Sequence, residues 1–169
     1  YEASVCGAIP IVQALRESLA GNEVINITGI LNGTSNYILS EMSTKGMPFD
    51  EALAEAQALG YAEAVPTLDI EGFDAAHKLT LLIRLAYGAD YPFAKLPVSG
   101  IKGMDPMDIA FAREFGYRIK LVGQARNVGG RIEAGVFPTL VHHTQLMARV
   151  CGVYNAVRVE ANAAGPIFM

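Results

Sequence analysis

Cysteine is scarce in this sequence. Its two cysteines, Cys6 and Cys151, lie far apart and form neither a CxxC motif nor a spacing typical of metal ligands. This pattern argues against a disulfide framework or a cysteine metal site. We interpret both residues as buried, reduced thiols of a cytoplasmic protein.

Long apolar runs and basic clusters are also missing. No apolar run approaches the ~18 residues needed to span a bilayer, so we expect no membrane partner. The 13 Lys and Arg residues are scattered, 17 residues are Asp or Glu, and the formal net charge is −4. A nucleic-acid-binding protein needs a concentrated basic surface, and we therefore expect no nucleic-acid partner.

Two common nucleotide-binding motifs are absent. No GxGxxG opens a helix after a strand, and no GxxxxGK[ST] occurs. We expect no nucleotide-binding domain within residues 1–169. The chain begins with Tyr1 rather than Met and shows no signal peptide, so we expect the natural start of the protein to lie upstream.

The residues that are present suit a single folded unit. Apolar residues make up 51% of the chain, which is ample material for one core. Helices alternate with strands early and hairpins dominate late, a pattern that predicts the α/β class, of the α+β type, with a mixed β-sheet carrying helices packed on one face. Helices are expected over 10–19, 36–46, 49–59, 73–87, 105–115 and 145–150, and strands over 24–31, 98–101, 117–127, 131–140, 155–161 and 165–169.

An unusual group of charges stands in GYAEAVPTLDIEGFDAAHKL, residues 60–79. Asp74 and Lys78 are four residues apart, so their side chains share one helix face. The plain interpretation is a surface ion pair worth ~0.3–0.5 kcal/mol. However, the helix is strongly apolar after Lys78, and a lysine held against apolar surface can donate or accept a proton.

The neighbouring acids favour a small-molecule site. A site for an amino acid needs an anion for the α-ammonium group, and Glu63 suits that task. Oxidation of an alcohol also needs a group that takes the hydroxyl proton as hydride leaves, and Lys78 suits it, with Asp69 and Asp74 binding substrate and holding the lysine. A non-catalytic amino-acid-binding or regulatory module remains the alternative, whereas a hydrolase that uses two acids leaves the lysine without a role.

Four blocks of the sequence resemble one known family. YEASVCGAIPI, GILNGTSNYIL, GYAEAVPTLDIEGFDAAHKLTLL and GYRIKLVG, in this order, are similar to the substrate domain of homoserine dehydrogenase, and the resemblance covers essentially the whole chain. It implies the fold of that catalytic domain. It also implies NAD(P)-dependent interconversion of L-homoserine and L-aspartate 4-semialdehyde, in the biosynthesis of threonine, methionine and isoleucine.

The resemblance also implies roles for individual residues. Lys78 matches the proton-transferring lysine and Asp74 the acid that works with it, while Glu63 matches the residue that binds the substrate amino group. The other positions implied to line the substrate pocket are Tyr61, Asp69, Gly33 and Thr34. A site for a monovalent cation such as Na+ is implied at Glu2, Val5, Gly7 and Ile9, and a hard cation of this kind prefers oxygen ligands.

The sequence departs from the family pattern at three positions. Val65 replaces an aspartate of the usual loop, and Cys6 and Ala8 stand where glycine is more common. The resemblance implies that a nucleotide-binding domain outside residues 1–169 binds most of the NAD(P), so the fragment alone is expected to be inactive. It further implies a homodimer formed through the β-sheet, for which the late strand NAVRVEA is a candidate.

Overall fold

The computed structural model describes residues 2–169 and centres on a five-stranded β-sheet. The strand order is β3-β2-β1-β4-β5, and every strand pair is antiparallel. The strands are β1 (Val24–Ile30), β2 (Tyr117–Val128), β3 (Arg131–His142), β4 (Ala156–Ala161) and β5 (Gly165–Phe168). The α-helices are α1 (Ile11–Gln13), α2 (Gly33–Lys45), α3 (Phe49–Ala58), α4 (Thr67–Ile70), α5 (Phe73–Tyr87) and α6 (Pro106–Glu114). Helix α1 continues as a π-helix over Ala14–Ser18, so most of the helix expected over 10–19 is present. The expected α+β class is confirmed, but the sheet is antiparallel rather than mixed as expected, because each strand pairs only with antiparallel neighbours.

The helices pack against one face of the sheet, as expected, and the main apolar core lies between them. Ile27 of β1 and Val159 of β4 belong to this core together with Leu79 and Ile83 of α5, and all four are fully buried. The opposite face is covered in part by a 3₁₀ turn, Leu146–Arg149, which replaces the helix expected there. Within residues 2–169, no helix is long and apolar enough to cross a membrane.

The β2–β3 hairpin is confirmed, and two glycines explain its tight turn. Gly129 and Gly130 connect the strands with φ values of 60° and 85°. A two-residue hairpin loop with positive φ at both positions matches the right-handed twist of the flanking strands. Side chains other than glycine, asparagine or aspartate are strained in that conformation.

Helix α2 begins earlier than the sequence pattern predicts. NGTSN was expected to be a turn, but only Asn32 remains outside the helix, which starts at Gly33. Asn32 is extended and its Oδ1 accepts a hydrogen bond from Ser35 N at 2.8 Å. This N-cap satisfies one of the free N–H groups of the first turn. It therefore fixes the point at which the chain leaves β1 and enters α2.

The strand expected over 98–101 is wrong. Val98 makes a single parallel bridge with Val136, and the chain then turns away from the sheet. Ile101 N instead donates to Ile70 O, at 2.7 Å, at the end of α4. Gly100 packs directly on the backbone of residues 70–71 and leaves no room for a side chain. The segment therefore ties α4 to the edge of the sheet.

The expectation of two buried thiols holds for Cys6 but is wrong for Cys151, which is exposed; both cysteines are free. Cys151 lies in the turn after Val150, where the backbone rather than the side chains is anchored. Gly152 N donates to Ser40 Oγ at 3.2 Å, and Gly152 O accepts from Asn36 Nδ2 at 3.0 Å. The thiol is consequently left at the surface.

Candidate active site

The site forms where β1 ends and the first turns of α2 and α5 approach each other. Lys78 Nζ donates to Asp74 Oδ2 at 2.7 Å and to Leu31 O at 3.1 Å, just beyond β1. The side chains of Lys78 and Asp74 are 24% and 30% exposed. The ammonium group therefore lies against the end of a buried strand, and the pair is not a freely solvated surface ion pair.

Local backbone geometry places the pair in this position. Gly72 adopts φ 86° and turns the chain from α4 into α5, so Asp74 falls in the first turn of α5 and Lys78 one turn later. Residues four apart on a helix lie on the same face. Leu79, Leu82 and Ile83 anchor the buried side of the same helix in the core.

Asp69 is joined to Asp74 through Asn32. Asn32 Nδ2 donates to Asp69 Oδ1 at 2.6 Å and to Asp74 Oδ2 at 2.8 Å. Ser35 Oγ donates to Asp69 O at 2.8 Å, which fixes the backbone of α4 beside α2. Asp69, Asp74 and Lys78 therefore form one connected group.

Burial raises the pKa of Asp69 above its ordinary value of 3.8. The hydrogen bond from Asn32 acts in the opposite direction, as does the charge of Lys78, whereas the charges of Asp74 and Glu63 add to the increase. Desolvation disfavours the ionised form of a carboxyl group, and nearby like charges do the same. The site thus holds a carboxylate at an energetic cost, which is common at functional sites.

The first turn of helix α2, which contains Gly33 and Thr34, forms one side of the site. Thr34 Oγ1 donates to Tyr61 O at 2.6 Å, which links the start of α2 to the loop after α3. A Cβ atom at Gly33 would lie 2.6 Å from Val153 O, so only glycine fits against that backbone. Tyr61 is 45% exposed, and its ring centroid lies 5.1 Å from that of Tyr37.

Glu63 lies at the rim of the site. Its backbone O accepts from Gln57 Nε2 at 3.0 Å, which secures the loop. Its side chain is exposed, and its carboxylate takes no part in the hydrogen bonds that join the other predicted site residues. Its charge nevertheless acts on Asp69. The structure therefore joins Asp69, Asp74 and Lys78 in one hydrogen-bonded group and Thr34 with Tyr61 in another, and Glu63 makes no direct bond to either group.

The predicted cation-binding segment precedes α1. Glu2 Oε1 accepts from Val12 N at 2.7 Å, so the carboxylate caps the start of α1. Cys6 and Ala8 have φ values of 54° and 69°, which is rare for residues with a side chain. Ile9 O accepts from Ile11 N at 2.8 Å. Burial raises the pKa of the Cys6 thiol to about 11, and the charges of Lys78 and Asp74 also act on it, which connects this segment with the site.

Sequence reasoning missed a buried polar network beside Gly33. Asn36 Nδ2 donates to the carbonyl oxygens of Val150, Gly152 and Tyr154, and Lys120 Nζ donates to Asn36 Oδ1 at 3.0 Å and Val150 O at 2.6 Å. Burial lowers the pKa of Lys120. No local sequence signal indicates contacts between residues so distant in the chain. Asn32 was also missed, although its sequence position does carry a local signal: an asparagine directly after a strand is typical of a helix N-cap.

The histidines do not form a metal centre. His142 and His143 contact each other, but among residues 2–169 no three His, Cys, Asp or Glu side chains come together in a way that could hold a metal ion. A metal site built from such side chains is thus not seen in the described part of the chain. A monovalent-cation site made largely of backbone carbonyls is a different case and is considered below.

Known proteins resemble this chain in both sequence and structure. A sequence profile described as homoserine dehydrogenase matches residues 10–169. A homoserine dehydrogenase from Neisseria gonorrhoeae is 54% identical over 165 residues, which cover 98% of this chain and 38% of that protein. The crystal structure of a homoserine dehydrogenase from Thiobacillus denitrificans superimposes with a TM-score of 0.96 at 52% identity, covering 99% of this chain and 39% of that one.

A more distant structure adds a bound nucleotide. A mutant of a hyperthermophilic archaeal homoserine dehydrogenase, solved in complex with NADPH, matches with a TM-score of 0.82 at 30% identity, over 99% of this chain and 47% of that one. The present chain thus spans less than half the length of each of these three proteins. The match to the family profile nonetheless extends over nearly all of its residues. The chain therefore belongs to the homoserine dehydrogenase family.

Proposed function

We propose that residues 1–169 are the substrate-binding and dimerisation domain of an enzyme that interconverts L-homoserine and L-aspartate 4-semialdehyde with NAD(P)(H). The observation that carries this proposal is the position of Lys78. Its Nζ lies 2.7 Å from Asp74 Oδ2 and against Leu31 O, in the same connected group as Asp69. Family membership favours this function over the amino-acid-binding or regulatory module.

Lys78 is assigned the proton transfer. A lysine ammonium group has three N–H donors, and two of them are directed to Asp74 and Leu31. The third is left for the substrate oxygen. In the reductive direction Lys78 donates a proton to the aldehyde oxygen, and in the oxidative direction the amine accepts the proton of the hydroxyl group. Asp74 holds the amine in place throughout.

The acids and the turn at α2 are assigned to substrate binding. Glu63 offers an exposed carboxylate to the α-ammonium group of the substrate, and Asp69 and Asp74 extend the negative surface inward. Gly33 and Thr34 close the opposite side, next to Tyr61. The NAD(P) supplies or accepts hydride, and residues 1–169 contain no dinucleotide-binding motif, so its binding is assigned mainly to sequence outside this range.

The function can be tested on the intact enzyme by following L-homoserine-dependent reduction of NAD(P)+ by absorbance. Glu63→Gln removes the charge that faces the α-ammonium group and is expected to raise KM for L-homoserine by about 10-fold or more. Glu71→Gln is the matched control, because Glu71 pairs with the exposed Lys102. If the intact protein binds L-homoserine but does not reduce NAD(P)+, the proposed enzyme activity is wrong and the chain is an amino-acid-binding module.

We also propose that Glu2, Val5, Gly7 and Ile9 bind a monovalent cation such as Na+. Glu2 already accepts from the start of α1, but a carboxylate has about four lone-pair positions and retains capacity for an ion. Cys6 and Ala8, which flank Gly7, both have positive φ values. For a residue with a side chain, this backbone conformation costs ~1–3 kcal/mol. A bound cation at this turn would offset that strain.

The proposal also includes the oligomeric state of the protein and its cellular compartment. The sheet face opposite the helices exposes part of Phe137 and of the Arg158–Glu160 pair, which supports a homodimer formed through the sheet. Both cysteines are unpaired, and this fits a reducing compartment such as the cytoplasm. Participation in threonine, methionine and isoleucine biosynthesis follows from the proposed reaction.

A further inference from the structure

The side chain of Asn32 uses both of its polar atoms in hydrogen bonds. Asn32 is 5% exposed. Its Oδ1 accepts from Ser35 N at 2.8 Å, and its Nδ2 donates to Asp69 Oδ1 at 2.6 Å and to Asp74 Oδ2 at 2.8 Å. One amide therefore joins the start of α2 to acids from α4 and α5.

The orientation of this amide follows from its partners. A backbone N–H can only donate, and an ionised carboxylate can only accept. If the amide were flipped, its Nδ2 would face Ser35 N and its Oδ1 would face both acids, so all three hydrogen bonds would be lost. The N-cap of α2 thus forces the two N–H groups of Asn32 toward Asp69 and Asp74.

One of the two acids that share Asn32 also binds Lys78. Asp74 Oδ2 accepts from both Asn32 Nδ2 and Lys78 Nζ. The second oxygens of Asp69 and Asp74 make no hydrogen bond within residues 2–169 that competes with a ligand. The outer oxygens of both carboxylates are therefore left for contacts with substrate.

We propose that Asn32 is a positioning residue that holds Asp69 and Asp74 in one array with Lys78, so that both acids are fixed for substrate binding and Asp74 keeps the lysine in place for proton transfer. The inference rests on the proposed function of this site. A neutral amide suits the task because it brings two like charges together without neutralising either. A lysine or arginine at position 32 would compete with the substrate for both acids.

The array has a measurable electrostatic signature. The hydrogen bond from Asn32 lowers the pKa of Asp69, against the effects of burial and of the charges of Asp74 and Glu63, with Lys78 acting in the same direction as Asn32. Loss of the amide donor removes one of the two influences that favour the ionised acid. The acidic limb of the pH profile of kcat/KM should then move to higher pH.

The test uses two substitutions in the intact dehydrogenase that keep the helix cap. Serine and aspartate are both strong N-cap residues, so Asn32→Ser and Asn32→Asp retain the bond to Ser35 N. Aspartate has no donor for the acids, and the single hydroxyl proton of the shorter serine cannot bond both of them. Asn32→Ser is expected to lower kcat/KM for L-homoserine about 10–100-fold and to shift the acidic limb upward. Asn32→Asp adds a third negative charge and should show the larger shift.

A matched control separates positioning from capping. Asp105 caps α6 through a bond from Met107 N at 2.8 Å, away from the site, and Asp105→Ser should leave kcat/KM and the pH profile unchanged. An unchanged kcat/KM and acidic limb in Asn32→Ser would overturn the inference while the proposed function stands. If Asn32→Ser fails to fold, Asn32→Asp, which keeps the size of the side chain, decides on the same criteria. A wild-type protein unable to oxidise L-homoserine would overturn the proposed function and this inference with it.

Discussion

At the scale of the residue, the site contains a carboxylate, Asp69, whose ionised form is disfavoured by burial and which is held by a short hydrogen bond from Asn32. Asp69 is partly withdrawn from water, lies close to another acid and is held by a neutral amide. A protein selected only for stability would avoid that arrangement, because a nearby like charge and desolvation both disfavour the carboxylate. Functional sites often retain such costs.

This cost gives a pH-dependent prediction for Asp69→Asn. The folded-state pKa of Asp69 is raised above 3.8, so the stability contributed by this group is fully present below pH 3.8 and is lost as the pH rises through the folded pKa. At pH 7 the asparagine variant should therefore unfold at a higher temperature than the wild type, by about 2–4 °C for each kcal/mol gained. The gain should shrink as the pH is lowered toward 3.8.

Thermal unfolding followed by circular dichroism at several pH values measures this difference. Asp108→Asn is a suitable control, because Asp108 is exposed on α6. If Asp69→Asn unfolds at a lower temperature than the wild type at pH 7, the carboxylate of Asp69 stabilises the folded state, which would contradict this prediction. Substrate binding should weaken in the same variant.

At the scale of the element, a buried polar network holds the segment 150–155 against α2. Asn36 and Lys120 supply the donors, and the carbonyl oxygens of the segment accept them. Gly33 then allows the backbone of Val153 to approach the first turn of α2. The wall of the site beside Gly33 is thus built by hydrogen bonds rather than by apolar packing.

Asn36→Ala is expected to lower the free energy of unfolding by ~2–4 kcal/mol, because it takes the side-chain donor away from the carbonyl oxygens of Gly152 and Tyr154 and removes one of the two hydrogen bonds of the buried Lys120 Nζ. Asn127→Ala is the matched control, since the exposed Asn127 accepts one bond from Gly130 N, and it should cost less than ~1 kcal/mol. Urea denaturation measures both. Equal losses would show that the network contributes no more than a surface turn.

Several elements could be predicted from the sequence because their signals are local. The apolar spacing and Gly88 predicted α5, the Gly129–Gly130 pair predicted the hairpin, and a spacing of four residues brought Asp74 and Lys78 together. The contacts of Asn32 with Asp69 and Asp74 could not be predicted in this way, because they join residues 37 and 42 positions apart. The exposure of Cys151 likewise depends on distant anchors of its turn.

At the scale of the whole molecule, the two faces of the sheet differ. The helices and the main core occupy one face, whereas the other is covered in part by the 3₁₀ turn Leu146–Arg149 and leaves Phe137 43% exposed. An apolar side chain on an open sheet face suits an interface more than a surface in water. The proposed homodimer would cover it.

Phe137→Glu is expected to convert the intact protein from dimer to monomer, because a carboxylate would be buried without a partner at the sheet interface. Phe115→Glu is the control: Phe115 is 73% exposed after α6, toward the other face, and its substitution should leave the dimer intact. Analytical ultracentrifugation distinguishes the two. Dissociation by Phe115→Glu alone would place the interface at α6 instead.

The most direct test of the account is the turnover of Lys78→Ala in the intact enzyme. General acid–base catalysis by a positioned side chain contributes roughly 10²–10⁴-fold, so kcat for L-homoserine oxidation should fall by about that factor while KM changes little. Lys102→Ala, which removes an exposed lysine paired with Glu71, should keep the wild-type kcat. A kcat of Lys78→Ala close to that of the wild type would contradict the assignment of proton transfer to this lysine.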